Sequence, residues 1–136
     1  MKSLISLLAL SLLTTAAFAA APEVTPALLE KGKTSFTMNC VPCHGEKGDG
    51  AGVAAAALNP KPRNFTTEPF KNGSKPEQLF QTLTTGLPNT AMAPFAHLSE
   101  DERWALTSYV LATFVKAPAA TAAPTKPGKA GKKSAK

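Results

Sequence analysis

The chain has 136 residues, 43% hydrophobic and 18% charged, with two cysteines and a formal net charge of +6. Six of its fifteen basic residues (Lys116, Lys126, Lys129, Lys132, Lys133 and Lys136) lie in the last 21 positions, where no acid faces them. Residues 20–115 carry eight basic against nine acidic residues, a net charge of −1, so the high isoelectric point belongs to the tail and implies no basic folded surface for nucleic acid.

The first feature in chain order is a leader. Lys2 gives a positive start, Leu4 to Leu13 form an apolar run, and Ala17-Phe18-Ala19 supply an A-x-A cleavage site. This three-part pattern predicts a signal peptide over residues 1–19, cleaved near Ala19/Ala20. The run is shorter than the roughly 20 residues a membrane span needs, and no other stretch is long and apolar enough. The mature chain is expected in the periplasm, where disulfides are permitted.

The first helix is predicted after Thr25, a suitable N-cap, with Pro26 at the opening position. Leu28, Gly32 and Phe36 recur at i, i+4 and i+8 as one stripe. Glycine in mid-helix costs about 1 kcal/mol against alanine, which suggests a close approach by another helix. The alanine run 54–57 suggests a short helix. Ser74 to Glu77 reads as a capping box opening a middle helix with Leu79, Phe80 and Leu83, ending before Gly86. Ser99 to Glu102 is a second such box, and the helix it opens carries Trp104, Ser108, Leu111 and Val115 along one face beside Tyr109. No segment alternates with period two, so the fold class is all-α. Long loops in so small a domain usually wrap something functional.

"NCVPCHG" contains both cysteines, Cys40 and Cys43, and one of two histidines, His44. A C-x-x-C redox pair is one reading, but its usual context is βαβ. Structural zinc wants four ligands, and only His97 is an obvious fourth. C-x-x-C-H is also the attachment pattern of c-type haem. Residues three apart on a helical turn project to one side. Cys40 and Cys43 can therefore reach two vinyl groups of one porphyrin edge, with His44 turned under the iron. For the sixth position, Met38 lies too close to Cys40 to reach the opposite face. Met92 is 48 residues beyond His44, in the loop "LPNTAMAPF". His97, the rival, precedes a helix start and reads as an exposed loop residue.

The stretch from Leu28 to Val115 resembles the small single-haem, class I c-type cytochromes of bacteria. The likeness rests on "CVPCHGEKGDG", "LNPKPRNFT", "GLPNTAMAPFAHLSEDERWALTSYV" and the helix with Gly32 and Phe36. The resemblance implies a small cytochrome c fold, three to five helices wrapped around one covalently attached haem c. It implies Cys40 and Cys43 as thioether sites and His44 and Met92 as the iron's axial ligands. In that family the first and last helices cross at a glycine and an aromatic, matched here by Gly32, Phe36 and Tyr109. Members often carry a proline after the haem loop whose carbonyl fixes the proximal imidazole; this chain has Val53 in the early loop and Pro60 and Pro62 later. Arg63 reads either as a propionate partner or as an exposed loop residue, and Trp104 as core.

Three regions are therefore expected: leader 1–19, cytochrome c domain 20–115, and a disordered Lys/Pro/Ala-rich tail 116–136. Methionine–histidine ligation fills both axial positions and raises the reduction potential. The expected function is a periplasmic, monomeric, non-enzymatic carrier of single electrons between redox partner proteins, without a membrane span. The basic tail offers at most a weak attraction to an anionic surface or acidic partner. Alternatives are a haem-bearing subunit of a larger oxidoreductase complex or a haem peroxidase.

Overall fold

The computed structural model describes residues 21–115; the leader and the tail lie outside the described residues. All regular structure among the described residues is helical.

Thr25 has extended backbone, and its Oγ1 accepts the Leu28 N–H at 3.2 Å. With Pro26 in the first helical position, α1 runs Pro26–Asn39, starting where the sequence places it. A single turn, α2, follows at Val41–His44. The alanine run forms a 3₁₀ turn over Ala55–Ala57. The middle helix, α3, spans Pro76–Thr85 and stops before Gly86 as expected, but its cap differs. Lys75 is the N-cap rather than Ser74, because Pro76 suits the first helical position and Gln78 Oε1 accepts the Lys75 backbone N–H at 3.1 Å. The Lys75 side chain has no acceptor atom and gives nothing in return.

The last helix, α4, covers Glu100–Phe114 and has the full box. Ser99 Oγ accepts the Glu102 N–H at 3.3 Å, while Glu102 Oε2 accepts the Ser99 N–H at 3.0 Å. Burial on α4 does not follow the anticipated stripe. Trp104 through Ser108 are buried without a break, as are Val110 and Phe114, whereas Leu111 and Val115 are half-buried. The reason is that α4 has neighbours on several sides.

One neighbour is α1. A Cβ on Gly32 would stand 2.6 Å from Tyr109 Cβ and press on the Ala105 carbonyl oxygen, so only glycine admits this crossing. Beside it, Phe36 packs tilted against Tyr109 (ring centroids 5.5 Å) and against Phe114 (5.2 Å). Phe36 is 2% exposed, and burying such a side chain stabilises the fold by roughly 1.5–3 kcal/mol. The second neighbour is α3, whose Phe80 stacks on Trp104 at 4.1 Å with the Arg103 guanidinium 5.2 Å from the same ring. Trp104 is thus core, as read from the sequence. The third side of α4 turns Leu106 and Val110 towards a cavity, which Phe36, Leu79 and Leu83 line from α1 and α3.

Candidate functional site

The floor of that cavity is built by α2. The His44 N–H reaches the Cys40 carbonyl at 2.7 Å and the Cys43 N–H the same oxygen at 3.1 Å, so Cys40, Cys43 and His44 sit on one tight turn. The glycine loop then folds back over the turn. Gly52 N–H donates to the Cys43 carbonyl at 3.2 Å and Gly50 N–H to the His44 carbonyl at 2.9 Å. Gly50 has φ +77°, and a Cβ there would lie 2.5 Å from the Pro62 carbonyl oxygen. This near contact brings the segment after Pro62 onto the turn.

There the Arg63 carbonyl stands 3.1 Å from His44 Nδ1. A carbonyl only accepts, so Nδ1 carries the proton and Nε2 keeps its lone pair for a metal. The Phe65 ring stacks on the imidazole, with centroids 4.4 Å apart and planes 21° apart. Neither Arg63's main chain nor Phe65 was legible as a His44 partner, because the sequence pattern offered only prolines for that task. The Arg63 guanidinium turns to the Pro69 carbonyl and, at 3.4 Å, to Glu68.

Another wall of the cavity comes from the loop after α3. Leu87 N–H donates to the Met92 carbonyl at 3.0 Å, and Met92 N–H to Thr90 Oγ1 at 3.1 Å. Thr90 Oγ1 in turn donates to the Leu87 carbonyl at 2.8 Å, so Met92 rides on a closed turn. The Phe95 N–H anchors the loop's far end on the Leu83 carbonyl at 2.8 Å.

Cys40, Cys43, His44 and Met92 all line one cavity of about 270 Å³, whose other walls are mostly apolar. The structure therefore brings together the four residues singled out from the sequence. Met38 lies 67% exposed on α1, and His97 is exposed beside Phe95 (5.7 Å); neither lines the cavity. Among the described residues no three His, Cys, Asp or Glu side chains converge as a metal cluster, so the zinc reading finds no supporting geometry.

Burial sets the electrostatics. It pushes the Cys40 thiol up to about 12, with the nearby Cys43 adding to the rise. Burial also holds His44 below its ordinary value, partly offset by the bond to the Arg63 carbonyl. The ring is thus kept neutral, as an iron ligand must be. Two thiols and an imidazole on one turn, with a thioether and mostly apolar walls lining the same cavity, form a donor set that fits a haem.

Residues 29–114 match the profile of the Cytochrome c family. The match covers more than half of the chain, and the protein belongs to that family. Membership implies electron transfer through covalently bound haem c, and the C-x-x-C-H pattern is present at Cys40, Cys43 and His44. Among solved structures, the chain resembles one from the reducing HAO-like protein complex of Kuenenia stuttgartiensis, with TM-score 0.58 and 37% identity. That alignment covers 71% of this chain and 46% of the other. It also resembles Cytochrome CL from Methylophaga aminisulfidivorans, with TM-score 0.51 and 20% identity over 65% and 56% of the two chains, a likeness of fold alone. The chain spans about half the length of these solved chains. No curated protein sequence matches it.

Proposed function

We propose that this protein carries single electrons in the periplasm, holding one haem c by thioether bonds from Cys40 and Cys43, with His44 and Met92 as axial ligands. The observation that supports this reading best is the convergence of those four side chains on one apolar cavity. When bound, the haem supplies reversible one-electron chemistry at iron; the chain's residues set where and how readily it occurs. Cys40 and Cys43 would hold the group covalently, His44 would offer Nε2 from a ring oriented through Nδ1, and Met92, carried on its closed turn, would offer its sulfur. The apolar walls exclude water and disfavour the extra positive charge of ferric iron, which raises the potential together with the thioether. If His44 and Met92 both bind the iron, the chain would leave it no open position for a substrate, which favours an electron carrier over a peroxidase.

The oxidised protein is expected to show the far-red sulfur-to-iron absorption band. Met92→Ala should abolish it and lower the potential. An unchanged band and potential would remove Met92 from the site.

A second reading has its own support. The 37% identity to a chain of an HAO-like complex favours a haem-bearing subunit of a larger oxidoreductase. Co-purification with a partner at fixed stoichiometry from native extracts would select the subunit; a lone chain on gel filtration selects the free carrier.

A further inference from the structure

We infer that Arg63 is a positioning residue for His44, closing the segment 63–70 into a clip that holds the imidazole from two directions. This rests on His44 being the haem ligand proposed above. The clip has two contacts with the ring. The Arg63 carbonyl accepts the hydrogen bond from His44 Nδ1–H, with N···O 3.1 Å, and Phe65 covers one face at 4.4 Å. Phe70 backs Phe65 in turn, stacked with centroids 5.6 Å apart.

The segment is tied at each point that matters. Phe65 N–H donates to the Gly48 carbonyl at 2.7 Å, fastening the clip to the glycine loop. Glu68 N–H donates to the Asn64 carbonyl at 3.0 Å, and Asn64 Oδ1 accepts the Thr66 N–H at 2.9 Å, so the middle is a compact turn. The Arg63 guanidinium then spans the clip's mouth, donating to the Pro69 carbonyl and to Glu68. The residue whose main chain faces His44 is therefore the one whose side chain fixes the far end of the same segment. The Glu68 contact at 3.4 Å is a weak exposed pair, and the Pro69 carbonyl is the more consequential partner.

The consequence is chemical as well as mechanical. A proton held firmly on Nδ1 by a carbonyl makes the ring a better electron donor through Nε2, which favours ferric iron. A slack clip weakens that bond and raises the potential. Removing the positive charge of Arg63 would by itself favour ferric iron and lower the potential, so the two effects have opposite signs.

The test uses the haem-loaded full chain and compares wild type with Arg63→Ala. Exchange, which the lost charge does not move directly, is the readout: in the reduced protein, hydrogen exchange of the His44 Nδ1–H should accelerate about tenfold relative to backbone amides of α1 and α4. Unchanged exchange, or acceleration matched by those amides, would overturn the inference. If Arg63→Ala yields no haem-loaded protein, Arg63→Met, which keeps the length of the side chain but not its donors, carries the same comparison with the same expected and contrary results. Wild-type protein without covalent haem, or with haem not ligated by His44, would instead sink the functional proposal on which the inference rests.

Discussion

His44 is held by contacts that come from far along the chain, and its acid behaviour follows from them. The folded ring is buried and binds a proton less readily than the ordinary histidine value of 6.5 describes. A depressed histidine contributes stability that is complete above the unfolded value and is lost as pH falls through the lowered folded value. Iron ligation demands the same neutral ring and acts in the same direction. An absorbance titration of the oxidised protein should therefore show His44 released only well below pH 6.5; release at or above that pH would contradict the burial argument. That Cys40, Cys43, His44 and Met92 would meet at one cavity was expected from the spacing of the C-x-x-C-H run and from the length of chain separating Met92 from it. The Arg63 carbonyl was not, because a main-chain acceptor carries no residue signature. Its place follows from how closely Gly50 lets the Pro62 segment approach.

Among the helices, the crossing of α1 and α4 is the contact most sensitive to a single atom. Gly32→Ala gains about 1 kcal/mol of helix propensity but meets Tyr109 Cβ at 2.6 Å and a backbone carbonyl, neither of which is the free end of a flexible chain. Overpacking of about 1–3 kcal/mol should dominate, and thermal melting should fall by several degrees; an equal or raised melting temperature would show that the helices can separate without cost. Ser99→Ala removes the reciprocal cap of α4 and should cost about 1 kcal/mol in urea unfolding. The Ser99 hydroxyl and N–H hold the Glu102 carboxyl below its ordinary value, so this difference should shrink as pH falls through that lowered value. The starts of α1 and α4 were readable because caps are local chemistry. The burial of α4 was not, since a helix flanked by α1, α3 and a cavity no longer shows one apolar stripe. At α3 the serine–glutamate pair was outweighed by Pro76 and Gln78, which place the cap one residue later.

For the molecule as a whole, charge is divided between residues 20–115, near neutrality, and the lysine-bearing residues 116–136. If the tail steers docking, deleting residues 117–136 should slow electron exchange with an acidic partner at low salt and much less at high salt. Equal rates at every ionic strength would assign the tail to solubility instead. Placing the molecule in the Cytochrome c family depends on both levels, the C-x-x-C-H turn and the helices that close an apolar cavity over it. The most direct test is the mass of the purified protein after denaturation, taken with its absorption spectrum. A red protein whose unfolded chain weighs one haem more than its polypeptide is expected. A colourless chain of bare polypeptide mass, with its two sulfurs free or joined to each other, would contradict the assignment of Cys40 and Cys43.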